Sequence, residues 1–335
     1  MALLSEIRFC VIVRAMAATA LLTMISVSHA SSLLFPTSYD DSSPHTINIR
    51  FFVSEVELRS RGEVQFELHT NGSLYSGVDL FESVRSGDAF IGEIIFSALV
   101  EVHPIFLIDN MPFLVRSFDS AEYLWLASRP AIERLLDQQG VRLLYATPWP
   151  PQALFTTHSV RSLSDLQGAS IRSYSRVTED LITAMGAVPV NVSANSIEDA
   201  FKQNRISAMI TSATTGVRSQ SWQYIDHYYD INAWIPKNMV FVNAAAFDAL
   251  PMETQRIMLD AASKAEVRGW KVAREEYHRS RITLTDNGMS VRRPSAQLNQ
   301  ELDQLGQQLL QRWRQEAGDE GERIIEQLSR LNNTQ

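Results

Sequence analysis

The chain has 335 residues, of which 45% are hydrophobic and 20% are charged, and its formal net charge is −8 at pH 7. At about 150 residues per domain this length predicts roughly two domains, and the apolar content excludes a disordered protein. The single cysteine excludes a disulfide-stapled module, and the acidic balance argues against a protein that binds nucleic acid.

The first thirty residues have the pattern of a secretory signal peptide. Arg8 and Arg14 precede an uncharged run over 15–27, and Ser28 and Ala30 offer a small-x-small cleavage site. The run is too short to span about 30 Å of hydrocarbon as a helix. An anchor that is not removed is the alternative, because residues 9–13 lengthen the apolar region. Cleavage would remove Cys10 and with it any disulfide, thiol catalysis or zinc-thiolate site.

From Leu33 onward the apolar period alternates between two and 3.6, which is typical of an α/β protein. The first series of predicted elements ends at a proline-rich segment, 147–151, where the chain must bend. Its elements are strands over 33–38, 64–69, 89–97 and 141–146, and helices over 44–60, 75–86 and 120–139.

A second α/β series follows the bend. Its predicted elements are strands over 153–157, 170–174, 187–192, 206–211 and 239–242, and helices over 178–185, 196–203, 251–281, 295–317 and 320–331. The helix over 251–281 would be about 45 Å long and is expected to cross both lobes. We therefore predict a signal peptide at 1–30, a first lobe of 31–150 plus 243–285, a second lobe of 151–242 plus 286–318, and a C-terminal helix over 319–335.

No motif of an enzyme is evident in this sequence. It contains no HExxH, no glycine-rich phosphate loop, no GxSxG elbow and no EF-hand loop, and its seven histidines are scattered. We therefore predict no catalytic residue, no cofactor and no metal site.

Aromatic and anion-binding residues gather instead near the bend and at a strand end of the second lobe. Trp149, Phe155 and Trp234 can supply apolar contact area, while Arg172 and the neighbouring Tyr174 end a strand. An arginine fork suits a carboxylate, so this group fits a small ligand with an apolar body and an anionic head. The alternative is core packing for each aromatic residue and a surface position for Arg172.

A series of motifs in a fixed order resembles the DctP-like family, the periplasmic solute-binding proteins of TRAP transporters. The resemblance covers about 33–331. The motifs are residues 71–74 (NGSL), 84–92 (VRSGDAFIG), 109–114 (DNMPFL), 164–172 (SDLQGASIR), 187–190 (AVPV), 247–251 (FDALP) and Trp313.

The resemblance implies a two-lobed α/β clamp, the Venus flytrap fold of periplasmic binding proteins, that closes on an organic anion. It also implies that Arg172 binds the ligand carboxylate, that the protein is periplasmic and not an enzyme, and that it delivers the ligand to small and large TRAP membrane subunits. Two alternatives stay open. One is a periplasmic enzyme acting on a carboxylate, and the other is a protein that presents its ligand to a sensor.

The chain departs from the sialic-acid and dicarboxylate members at two places. Ala153, with Gln152 beside it, stands where many of those have an arginine, and residues 209–216 lack their asparagine. We therefore favour a monocarboxylate with an apolar, 2-oxo or aromatic body, whose identity stays open. Further candidate contacts, each with a structural role as the alternative, are Thr211, Ser212, Glu93 and Asn243.

Overall fold

The computed structural model describes residues 32–333. The predicted signal peptide lies outside the described residues and stays a prediction. Within 32–333, no helix combines the length and the apolar character needed to cross a membrane.

Strands and helices are mixed along the described chain, as expected for an α/β protein, although β4 and β5 and also β9 and β10 follow each other directly. The strands are β1 (Leu33–Pro36), β2 (Phe66–His69), β3 (Ile91–Ile95), β4 (Val141–Pro148), β5 (Gln152–Thr156), β6 (Ser170–Ser173), β7 (Val188–Asn191), β8 (Ala208–Ser212), β9 (His227–Tyr229), β10 (Lys237–Asn243) and β11 (Ser290–Arg292). The helices are α1 (Pro44–Arg59), α2 (Gly77–Ser86), α3 (Phe118–Gln138), α4 (Arg176–Ala184), α5 (Ile197–Lys202), α6 (Ala213–Arg218), α7 (Ala244–Asp248), α8 (Met252–Asp286) and α9 (Ala296–Asn332).

The first lobe is built on strands from both ends of its sequence. β1 pairs with β2 in parallel, and β10 lies between β3 and β4, antiparallel to both. A parallel bridge between Thr37 and Glu93 joins the two groups of strands. The sequence predicts that the second lobe extends to residue 242, whereas this pairing places β10 in the first lobe's sheet. That boundary is corrected, because an apolar strand in the sequence does not reveal its partners. The other predicted lobe boundaries stay predictions.

The second lobe contains a six-stranded mixed sheet in the order β11-β9-β5-β8-β6-β7. β6 pairs in parallel with β7 and β8, and β5 runs antiparallel to β8 and β9. Successive residues of β5 enter opposite apolar clusters, since Leu154 packs with Ile171 and Ile210 on one face while Ala153 and Phe155 pack on the other. The sheet is therefore buried on both faces.

Two long helices join the lobes. α8 packs against α1 and β4 of the first lobe and against α6 and β11 of the second, as its predicted length implied. α9 contacts α3 as well as α4, and the non-helical backbone of Gly318 divides it where the sequence predicted a break between two helices. The backbone N–H of Phe113 also donates to the carbonyl of Ala233 at 2.6 Å.

Gly306 lies where α9 meets the segment before α3. A Cβ at this position would come within 2.6 Å of the Pro112 carbonyl oxygen and 2.8 Å of the Phe113 ring. We expect Gly306→Ala to lower the free energy of unfolding by about 1 to 3 kcal/mol, because overpacking against backbone outweighs the higher helix propensity of alanine. Urea denaturation measures the change. Gln307→Ala, at an exposed position of the same helix, should change it by less than about 0.5 kcal/mol, and equal effects of the two would contradict the packing argument.

Candidate functional site

A cavity of about 520 Å³ lies between the two lobes. This volume is within the range of roughly 300 to 1,000 Å³ that is usual for small-molecule sites. Its walls come from segments that follow strand ends, including Tyr39 after β1, Trp149 after β4 and Tyr174 after β6. The cavity therefore obeys the general rule that ligands of α/β sheets bind beyond the carboxyl ends of the strands.

Arg172 on β6 lines this cavity although it is only 3% exposed. Its Nε donates to the carbonyl of Val192 at 2.9 Å, and its guanidinium carbon lies 5.1 Å from the centroid of the Tyr174 ring. Within 32–333, no carboxylate forms an ion pair with it, and its Nη atoms have no hydrogen-bond partner. Burial lowers the pKa of Arg172 to about 10, with a partial opposite effect from Tyr174 and Tyr39. Arg172 is therefore a buried cation at neutral pH, and its Nη atoms are available as hydrogen-bond donors.

A chain of hydrogen bonds holds the ring beside that guanidinium. Trp234 Nε1 donates to the Tyr174 hydroxyl at 3.1 Å, and this hydroxyl donates to Gln152 Oε1 at 3.1 Å. Gln152 Nε2 then donates to the carbonyl of Pro150 at 2.9 Å. Burial raises the pKa of Tyr174 to about 12, so its hydroxyl stays protonated and remains a donor.

The opposite wall is aromatic, with its polar atoms already bonded within the protein. Trp149 Nε1 donates to Asn238 Oδ1 at 2.8 Å, and the Tyr39 hydroxyl approaches the same oxygen at 3.4 Å. Asn238 Nδ2 donates to Glu93 Oε1 at 2.9 Å, and Thr37 donates to Glu93 Oε2 at 2.5 Å. Burial and the Glu93 carboxylate together raise the pKa of Tyr39, which keeps it neutral. This wall therefore presents aromatic rings whose polar atoms are already hydrogen-bonded.

The structure brings six of the ten predicted site residues to the cavity: Arg172, Trp149, Gln152, Tyr174, Thr211 and Ser212. Thr211 and Ser212 end β8, and the Ser212 hydroxyl caps α6 by accepting from the Thr215 backbone N–H at 3.2 Å. Gln152 lines the cavity, but its side-chain amide is hydrogen-bonded to Tyr174 and to the carbonyl of Pro150. Its role is therefore to position the Tyr174 ring.

Phe155 and Trp234 do not line the cavity. Phe155 lies on the face of β5 opposite to that of Leu154. Its ring packs edge-on against Tyr228, with the ring centroids 4.9 Å apart, and a Cβ at Gly216 would come within 2.7 Å of the Phe155 ring. Trp234 is 0% exposed and contacts lining residues through two hydrogen bonds: its Nε1 donates to the Tyr174 hydroxyl, and its carbonyl accepts from the Gln152 backbone N–H at 2.9 Å.

Glu93 and Asn243 do not line the cavity either. Glu93 is 1% exposed and lies beneath the aromatic wall. Asn243 lies at the other end of β10, where its side chain accepts from the Ala246 backbone N–H at 2.9 Å and donates to the carbonyl of Val84 at 3.0 Å. The two residues miss the cavity for different reasons. Glu93 lies in the middle of β3 but its side chain is buried, whereas Asn243 lies at the end of β10 far from Lys237.

Several residues that line the cavity are not among the predicted site residues: Tyr39, Asn71, Asn191, Asn195 and Arg218. Tyr39, Asn71 and Asn191 lie at or just after the ends of strands β1, β2 and β7, which pair in parallel with their neighbours. Searching the residues after each predicted strand would have found them.

Comparison with known proteins identifies close relatives. A family model described as DctP, bacterial extracellular solute-binding protein, family 7, matches residues 35–316. The Bordetella pertussis DctP7, an extracytoplasmic solute receptor binding pyroglutamic acid, is 38% identical with a TM-score of 0.87 over 89% of this chain and 99% of that chain. DctP6 of the same organism, also binding pyroglutamic acid, is 35% identical with a TM-score of 0.87 over 90% and 100%.

A solute-binding protein of Albidiferax ferrireducens is similar in sequence. It is 26% identical over 234 residues, which are 68% of this chain and 69% of that protein. The likeness to the solved structures confirms the two-lobed α/β fold predicted from the sequence.

The Tyr174 hydroxyl connects two buried groups, so its removal should be costly. We expect Tyr174→Phe to lower the free energy of unfolding by about 1 to 3 kcal/mol, because Trp234 Nε1 loses its acceptor in a dry environment. Urea denaturation is the measurement. Tyr75→Phe is the control, since the described residues provide no hydrogen bond to that hydroxyl, and it should change stability by less than about 0.5 kcal/mol. Equal losses would contradict the role of the hydrogen-bond chain.

Proposed function

The chain belongs to the DctP family of bacterial extracellular solute-binding proteins, as its sequence motifs predicted, and we propose that it captures a small cyclic monocarboxylate such as pyroglutamate. The family is that of the TRAP solute-binding proteins. The observation that carries the proposal is Arg172, a buried guanidinium that lines the cavity without a carboxylate partner in 32–333.

The ligand carboxylate binds the free Nη atoms of Arg172. Charge-assisted, paired hydrogen bonds restore what the guanidinium loses on burial, and they fix the orientation of the carboxylate. A ligand with one negative charge neutralises this group and needs no second cation.

The rest of the ligand lies against the aromatic wall. The ring faces of Tyr39 and Trp149 suit a flat, uncharged body, and the Thr211 hydroxyl and the Asn191 amide supply hydrogen bonds to its polar atoms. Pyroglutamic acid, which DctP7 and DctP6 bind, has this chemistry, since it is a five-membered lactam that carries one carboxylate. The preference for a monocarboxylate predicted from sequence agrees with these relatives.

Capture ends in closure of the two lobes around the ligand. Among the described residues, two side-chain contacts join the lobes at the cavity. Asn195 Nδ2 of the second lobe donates to Asn71 Oδ1 of the first at 2.9 Å, and Arg218 of the second lobe pairs with Asp40 of the first. A ligand that touches both walls stabilises this closed arrangement because it binds the closed form more tightly than the open one.

Family members are solute-binding receptors, and we extend this role to the present chain in place of an enzymatic one. We propose that it works in the periplasm and delivers its ligand to the small and large membrane subunits of a TRAP transporter.

A thermal-shift experiment tests ligand and arginine together. We expect pyroglutamate at about 100 times its Kd to add about 2.7 kcal/mol to stability and to raise the Tm. In Arg172→Met the apolar stem is kept but the charge is lost, which should cost about 2 to 5 kcal/mol of binding, or more than tenfold in Kd. Arg176→Met, an exposed arginine paired with Glu316, should bind like the native chain. Undiminished binding by Arg172→Met would refute the assignment.

The contact between Asn195 and Asn71 should govern release. We expect Asn195→Ala to raise the ligand dissociation rate about 2- to 10-fold, the loss of one hydrogen bond, with little change in the association rate. Stopped-flow competition measures both rates. Asn287→Ala removes an amide hydrogen bond that stays within one turn, so it should leave the rates unchanged. A slower association with normal dissociation would contradict a role in closure.

A further inference from the structure

Two arginines line the cavity, and their surroundings differ. Arg172 is the buried guanidinium described above. Arg218 ends α6 and pairs with Asp40, and both side chains of this pair are partly exposed, at 23% and 31%. Among the described lining residues these two arginines carry the only formal charges.

Asp40 is held in place by its own turn. Its Oδ1 accepts from the backbone N–H of Ser42 at 2.9 Å and from the Ser42 hydroxyl at 2.6 Å. Its Oδ2 is the atom that accepts from Arg218. One oxygen therefore fixes the carboxylate to the first lobe and leaves the other aimed at an arginine of the second lobe.

The ion pair of Arg218 and Asp40 determines the net charge at the cavity. The two guanidiniums and the Asp40 carboxylate together leave one uncompensated positive charge at the cavity, on Arg172. Both guanidiniums line the same cavity, as does Tyr39, so they belong to one site. A second carboxylate on a ligand would have to displace Asp40 from Arg218 and would then face the charge of Asp40 itself.

We propose that Asp40 is a specificity-determining residue that occupies Arg218 and thereby selects ligands with one carboxylate over ligands with two. This inference deepens the proposed capture of a monocarboxylate and rests on it. Because Asp40 and Arg218 belong to different lobes, the selection acts as the lobes close. A dicarboxylate that competes for Arg218 removes a contact that closure requires, whereas a monocarboxylate leaves that contact intact.

The test compares two aspartates that are neighbours in sequence. Asp40→Asn keeps the shape and the turn but frees Arg218, whereas Asp41→Asn removes the same charge from an exposed surface pair with Arg50. Isothermal titration with pyroglutamate and with glutarate, a five-carbon dicarboxylate, gives the ratio of the two affinities. We expect Asp40→Asn to shift this ratio at least tenfold toward glutarate, and Asp41→Asn to change it by less than twofold.

The variants also separate this inference from the proposed function. If Asp40→Asn weakens the binding of both ligands equally, Asp40 only helps closure and the inference is wrong. An equal shift of the affinity ratio in Asp41→Asn would also overturn the inference, because it would show a long-range charge effect. In Asp40→Asn/Arg218→Gln the gain in glutarate binding should disappear. Failure of the native chain to bind pyroglutamate would count against the proposed function. The role of Asp40 would still be decided by whether Asp40→Asn binds glutarate more tightly than the native chain does. Asp40→Ser, whose hydroxyl can still accept in the turn, repeats the test if the asparagine variant does not fold.

Discussion

The proposed site depends on Arg172, a buried guanidinium that has no carboxylate partner among residues 32–333. Burying an ion costs on the order of several kcal/mol, and the protein offsets part of this for Arg172 with one carbonyl and one ring face. We propose that the carboxylate of a ligand supplies the remainder. Tyr174, Gln152 and Trp234 are arranged around this residue, and their hydrogen bonds position the ring without using up the guanidinium.

In the proposed mode of binding, the two walls of the cavity make different contacts with the ligand. The second lobe contributes the charge, while the first lobe contributes aromatic faces whose N–H and O–H groups are bonded to Asn238. Glu93, buried below, orients that amide. A ligand with many hydroxyl groups would lose hydration at this wall and find no free hydrogen-bonding groups there. The wall would therefore disfavour such ligands.

Local patterns predicted much of this molecule, whereas contacts between distant segments were out of their reach. Alternating periods located most strands and the long α8, and Arg172 stood out because its strand ends at a loop. Phe155 was misjudged because adjacent residues of a strand face opposite ways. The pair of Asp40 and Arg218 joins residues 178 positions apart, and no local property of either residue indicates the other.

The position of β10 in the chain constrains how the molecule is made. This strand completes the first lobe's sheet between β3 and β4, yet it is synthesised after residues 149–236, which include most of the second lobe. Until residue 243 has been added, β3 and β4 both lack the neighbour with which they pair, and their unpaired edges are exposed to other chains. The first lobe therefore cannot complete its sheet while the chain is still being synthesised up to β10. A fragment that ends at the bend after β4 lacks the strand that pairs with both β3 and β4.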